Sequence, residues 1–139
     1  MNKASVVSET KQPESLKINR ILIVDDEPGW RDLLTLELTS QGFQTISAKN
    51  ATEAMAVLEK EHLDLIITDV RMPGSMDGVD FIQAHRKTHP DQKVVFITGY
   101  ATEEKLSLAL ENLFSIVLRK PFEIEQLFKI ILNHPFGEK

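Results

Sequence analysis

Four short groups of residues carry chemistry in this chain. Asp25, Asp26 and Glu27 are consecutive, Asp69 follows a β-branched run, Thr98 precedes Gly99-Tyr100, and Lys120 precedes Pro121. Carboxylates brought together bind a hard cation or present an oxygen nucleophile. A lysine pairs with an anion, and a threonine hydroxyl donates to one. Taken singly, each group has a plainer explanation: a solvated acid or helix cap, a surface lysine, a buried strand residue. They mean more only if the fold gathers them.

The elements that must do the gathering are legible. Ile21-Leu22-Ile23-Val24, Leu63 to Thr68 and Val94-Val95-Phe96-Ile97 are apolar runs without polar alternation, and Phe43 to Ala48 and Ser115 to Leu118 are weaker runs at the same spacing. Strands of this kind are buried on both faces, as in a parallel sheet. Between them the period becomes helical: Trp30, Leu33, Leu34 and Leu38; Ala51, Ala54, Met55 and Leu58; Val79 and Ile82; Leu106, Ala109, Leu110 and Leu113; Ile124, Leu127, Phe128, Ile131 and Leu132. Pro28 suits the first turn of the first helix and Gly42 its C-terminal cap. The pattern predicts an α/β fold, a (βα)5 chain forming a doubly wound, five-stranded parallel sheet of flavodoxin-like order 2-1-3-4-5.

In such a sheet the chemistry gathers at the C-terminal ends of the strands. Strands 1 and 3 are neighbours in that order, which brings Asp25, Asp26 and Asp69 together. Two carboxylates about 5 Å apart repel by roughly 3 kcal/mol at an effective dielectric of 20, so a cation is implied. All-oxygen ligation points to a hard ion such as Mg²⁺. Glu27 is expected to be solvated or to cap the following helix.

The motifs VDDEP after strand 1, ITDVRMPG around strand 3, ITGY on strand 4 and KPF after strand 5 resemble the receiver domain of bacterial response regulators. The resemblance runs from about Arg20 to Asn133. It implies Asp69 as the phosphoacceptor, Asp26, Asp69 and the backbone carbonyl of Arg71 as direct Mg²⁺ ligands, and Asp25 acting through water. It also implies Thr98 and Lys120 as partners of the phosphoryl group, and a cis Lys120-Pro121 bond. Arg71 and Tyr100, two residues past Asp69 and Thr98, are expected over the site, tuning phosphoryl lifetime. Phosphoryl transfer needs an in-line nucleophile and stabilised charge, and these residues supply both. The donor implied is a phosphohistidine of a sensor histidine kinase or a histidine phosphotransfer domain. The output implied is a protein target bound through helix 4, strand 5 and helix 5, where Ile130 and Leu108 are expected to be exposed.

Three features depart from the family pattern. Leu113-Phe114 stands where Gly-Ala is frequent, so helix 4 either stops at Asn112 with positive φ or runs on. Val117 replaces the usual switch aromatic. The Gly74-Ser75-Met76-Asp77-Gly78 turn is one residue longer than the common form. These departures motivate an alternative, a receiver-like module that binds its partner whatever its phosphorylation state. His62, His85, His89 and His134 are expected on the surface, Trp30 in the core near the site, and Met72 and Met76 in loop packing.

Composition fits this reading. The chain has 139 residues, 42% apolar and 27% charged, with a net charge of −5 and no cysteine. Disulfide and thiolate chemistry are excluded, and the charge disfavours nonspecific binding to nucleic acid or anionic membrane. No run is long enough for a membrane helix and the N-terminus lacks a signal-peptide core, so a cytoplasmic location is expected. Expected boundaries are a flexible tail over 1–19, the receiver over 20–134 and a short tail over 135–139, with no room for an effector domain. A turnover phosphatase with an aspartate nucleophile would carry a second acid two residues after Asp69, where Arg71 stands, so the chain reads as a signalling domain rather than a turnover enzyme. A flavin site would need a phosphate loop where Asp25-Asp26-Glu27 would repel phosphate.

Overall fold

The computed structural model describes residues 17–137. Its strands are β1 (Arg20–Val24), β2 (Gln44–Ala48), β3 (Leu65–Asp69), β4 (Lys93–Thr98) and β5 (Ser115–Arg119). They alternate with helices α1 (Pro28–Ser40), α2 (Ala51–Lys60), α3 (Gly78–Arg86), α4 (Glu103–Leu110) and α5 (Ile124–Asn133). All pairings are parallel, in the order β2-β1-β3-β4-β5. The sheet is the flavodoxin-like one that the sequence predicts.

The absence of polar alternation has a direct cause. Along β1, Leu22 and Val24 pack with Ala51, Ala54, Val79 and Ala109 of α2, α3 and α4, whereas Ile21 and Ile23 pack with Leu34, Leu38, Leu127 and Ile131 of α1 and α5. Successive side chains therefore enter opposite cores, and both cores are apolar. The edge strand β2 is the least buried, as its mixed sequence requires.

Local signals set the helix ends. Pro28 opens α1, and Gly42, at φ 97°, closes it, with the Phe43 N–H donating to the Leu38 carbonyl and that of Gly42 to Thr39. This is the Schellman arrangement. Asn50 and Thr102 cap α2 and α4, and Asp77 and Asp80 form a reciprocal capping box on α3.

Several expectations change. The 1–19 tail lies largely outside the described residues, but Ile18 is buried in the core and the Asn19 N–H donates to Asp64 Oδ2 at 2.9 Å. At the other end, Phe136 packs on the α1/α5 core and the Gly137 N–H donates to the Leu113 carbonyl at 2.8 Å, so residues 135–137 fold back onto the domain. Helix α4 stops at Leu110, earlier than either expected stop. Among the described residues no non-glycine has positive φ. Asn112 instead ends the turn with its side chain, Oδ1 accepting the Phe114 N–H at 2.7 Å. His85 is buried rather than superficial: its Nε2 bonds Gln92 Oε1 at 2.9 Å, and its ring stacks on His89. Burial lowers its pKa below the ordinary histidine value. Leu33 is exposed although its spacing placed it on the inner stripe.

One glycine holds the site together. Gly78 opens α3 with its N–H on the Val70 carbonyl at 2.8 Å. A Cβ there would sit 1.9 Å from the carbonyl oxygen of Asp69. The lengthened turn after β3 thus returns against the backbone of the residue it follows. Gly78→Ala must push these segments apart, and a urea midpoint shift equivalent to about 2–4 kcal/mol of destabilisation is expected.

Candidate functional site

The C-terminal ends of β1, β3, β4 and β5 converge as the topology requires. Asp25 follows β1, Asp69 ends β3, Thr98 ends β4 and Lys120 follows β5. Ladder bonds extend past the strands: the Lys120 N–H donates to the Thr98 carbonyl at 2.8 Å and that of Val70 to Ile97 at 3.1 Å. The functional side chains leave from backbone already fixed in the sheet.

At the centre lies the Lys120 ammonium. Its Nζ is 2.9 Å from Asp25 Oδ2, from Asp69 Oδ2 and from Glu27 Oε1. Asp25 is fully buried and Asp69 nearly so, whereas the Glu27 side chain is 58% exposed. Burial raises the Asp69 pKa above its ordinary 3.8, and the Asp25 charge adds to this against the opposing pull of Lys120 and the Arg71 N–H. For Lys120, burial disfavours the charge, but the carboxylates outweigh it and hold the pKa above the usual lysine value.

Backbone donors fix the carboxylates. Asp25 Oδ1 accepts the Glu27 N–H at 2.9 Å, and Asp69 Oδ1 accepts the Arg71 N–H at 3.1 Å. Arg31 of α1 reaches back to the Asp25 carbonyl at 2.7 Å. The buried Thr98 hydroxyl oxygen accepts the Tyr100 N–H at 3.1 Å, which leaves its own proton available to an acceptor. The Lys120-Pro121 bond is cis.

These groups border an open cleft of about 540 Å³ lined by Asp26, Glu27, Asp69, Arg71, Met72, Pro73, Gly99, Tyr100 and Lys120. The Arg71 guanidinium lies 5.2 Å from the centroid of the Tyr100 ring, so the two residues expected over the site meet each other across it. The carboxylate grouping differs from the expected one. Oxygens of Asp25, Glu27 and Asp69 lie within 4.8 Å of one another and could share a cation. Asp26 is exposed on the rim of the cleft, and Glu27 joins the two aspartates in that group. Adjacent residues leaving a strand point differently, and composition gave no means of choosing between two acids.

Comparisons agree with this geometry. The family described as response regulator receiver domain matches residues 21–132. Sporulation initiation phosphotransferase F of Bacillus subtilis is 32% identical over 76% of this chain and 85% of its own length. Transcriptional regulatory protein GlrR of Escherichia coli is 34% identical over 78% of this chain, but the match spans only 24% of its length, so the chain covers about a quarter of such relatives. A CheY-like response regulator receiver domain protein from Methanospirillum hungatei superposes with a TM-score of 0.75 at 29% identity, covering 83% of this chain and 91% of that one. The response regulator TrrA of Thermotoga maritima, solved with Mg(2+)-BeF, gives 0.66 at 32% identity, covering 83% of this chain and all of the other.

The chain belongs to the response regulator receiver family of two-component signalling. Its acidic pocket is of the kind that accommodates a divalent cation.

The electrostatics carry a sign that can be checked. Because the Asp69 pKa is raised on folding, its contribution to stability is present below the unfolded value near 3.8 and is lost as pH rises through the folded value. Asp69→Asn is therefore expected to be more stable than wild type at pH 7, with the gap closing below pH 3.8. Lys120→Met should move the Asp69 titration further up, as read from its ¹³Cγ shift.

Proposed function

We propose that this receiver accepts a phosphoryl group on Asp69 and signals through a partner-binding surface, acting as a phosphoacceptor domain rather than a turnover enzyme. One observation carries the reading: a nearly buried aspartate at a strand end, paired with a lysine at 2.9 Å, at the mouth of an open cleft. A structural ion pair alone would not call for the two further carboxylates on the same ammonium.

An Asp69 oxygen attacks the phosphorus of a phosphohistidine in line. The new O–P bond forms as the P–N bond breaks, and its electron pair leaves on the histidine nitrogen, which takes a proton from solvent. No general base is required, because the nucleophile is already a carboxylate. Lys120 turns from its carboxylates to a phosphoryl oxygen, and the Thr98 hydroxyl donates to another. Asp25, Asp26, Asp69 and the Arg71 carbonyl would hold Mg²⁺, which supplies positive charge to the phosphoryl oxygens when bound. The convergence of Asp25 and Asp69 with Glu27 fits such an ion, and gives Glu27 a share in holding it.

The donor is a sensor histidine kinase or histidine phosphotransfer domain. Relatives include receivers within sensor histidine kinases such as RcsC of Escherichia coli. The target binds the face formed by α4, β5 and α5, with no role for nucleic acid or membrane. A cytoplasmic setting is part of the same proposal; among the described residues, no helix is long and apolar enough to cross a membrane.

Incubation with Mg²⁺ and acetyl phosphate, followed by intact mass, tests the core of the reading. Wild type should gain one phosphoryl mass and Asp69→Asn none; a gain in the variant would move the site elsewhere. Arg71 and Tyr100 face the cleft together. Replacing both by alanine should change the rate of aspartyl-phosphate hydrolysis several-fold, and an unchanged rate would remove them from the path of the attacking water.

A further inference from the structure

Trp30 has no part in the chemistry above, yet it touches the group on which that chemistry turns. Lys120 Nζ lies 5.0 Å from the centroid of the indole ring. That is within the range where a cation is drawn to an aromatic face. The same ring stacks on Phe122, with centroids 5.1 Å apart and planes inclined by 30°. Lys120 and Phe122 flank Pro121, so one short turn places both an ammonium and a phenyl ring against the first helical turn of α1.

We propose that Trp30 is a positioning residue for phosphoryl transfer, its ring holding the Lys120 ammonium at the cleft while the carboxylates around it change partners. The inference rests on the reading of Lys120 as the phosphoryl-binding lysine. The three carboxylates hold Lys120 through charge, and the reaction disturbs that charge. Asp69 loses its anionic oxygen to the new O–P bond, and Asp25 and Glu27 are drawn toward a divalent cation. The attraction of a neutral ring is untouched by these changes. Trp30 thus keeps Lys120 within reach of the incoming phosphoryl oxygens when its other partners let go. The stack on Phe122 is not the whole of its environment: the ring is only half-buried, and it also meets the Lys120 ammonium. A leucine in its place would lack the ring face.

The experiment compares full-length wild type with Trp30→Phe, Trp30→Leu and Lys120→Met. Initial phosphorylation rates with Mg²⁺ are followed by intact mass across phosphoramidate concentrations, and Mg²⁺ affinity by calorimetry. Trp30→Leu should lower the maximal rate by about three- to thirtyfold, the range expected for a lost cation–π contact, with Mg²⁺ affinity unchanged. Trp30→Phe, which keeps a ring face, should recover most of the rate. Trp30→Leu reacting like wild type, or Trp30→Phe as slow as Trp30→Leu, would overturn the inference. Lys120→Met reacting like wild type would instead overturn the reading of Lys120 beneath it. A further measurement leaves Trp30 in place. It is the only tryptophan, so emission reports its surroundings alone. A nearby ammonium quenches indole, and Lys120→Met should therefore brighten the folded protein; unchanged emission would place the ammonium away from the ring and refute the proposal.

Discussion

The arrangement at the strand ends depends on one ammonium. Asp25, Asp69 and Glu27 each approach Lys120 Nζ at 2.9 Å. At an effective dielectric of 20, opposite charges at about 3 Å attract by about 5 kcal/mol, while carboxylates just under 5 Å apart repel by about 3–4. Between the charges alone, the attraction wins for Asp25 and Asp69. Glu27, open to water, adds much less. One ammonium does not neutralise three carboxylates, and burial, with a smaller push from the Asp25 charge, raises the Asp69 pKa in spite of Lys120. The site is held together well enough to fold and is left short of positive charge. That is the condition in which a further cation is welcome.

The surrounding structure can be read as what makes this concentration of charge tolerable. Two apolar cores clamp the sheet from both faces, so the strands that launch Asp25, Asp69, Thr98 and Lys120 have little freedom to separate. Backbone N–H groups of Glu27 and Arg71 take the carboxylate oxygens that face away from Lys120. Gly78 lets the loop after β3 close against Asp69 with no side chain in the way. From the same loop Asp77, with Asp80 in the first turn of α3, binds Lys105 of α4 at 2.9 and 3.2 Å. The loop beside Asp69 and the helix beyond Thr98 are thereby tied to each other.

Much of this was legible in the sequence because it depends on repeating patterns. Uninterrupted apolar runs gave a parallel sheet, and its order gave the convergence of Asp25, Asp69, Thr98 and Lys120. What was missed depends on single side-chain directions or contacts distant in sequence. Glu27 stands at the N-cap of α1 and is largely open to water, as expected, but the turn there also brings its carboxylate to Lys120. Ile18 looks like part of a polar tail until Asp64, 45 residues away, accepts the Asn19 N–H. His85 is compatible with burial only because Gln92 supplies a partner across the end of α3. The stop of α4 needed no positive φ once the Asn112 side chain had capped the following turn.

The proposed reading also constrains how a signal can leave the site. Val117 is packed against the core beside α4 and carries no ring to swing. Thr98 is better placed, because its hydroxyl oxygen holds the Tyr100 N–H. A hydroxyl drawn toward a phosphoryl group pulls on that bond, and with it on Tyr100 and Ala101, which lead to the Thr102 cap of α4. The helix itself is lightly held. It is short, Ala109 is its one buried residue, and Lys105 ties its first turns to Asp77 and Asp80. An element with so little apolar anchorage is a low-stability part of the fold, the kind from which moving elements are drawn. The two ties on α4, one through Thr98 and one through Lys105, both lead back to the residues flanking Asp69. On this view the missing aromatic does not disconnect the output face; it shifts the burden of coupling from a rotating ring to the backbone between Thr98 and Thr102.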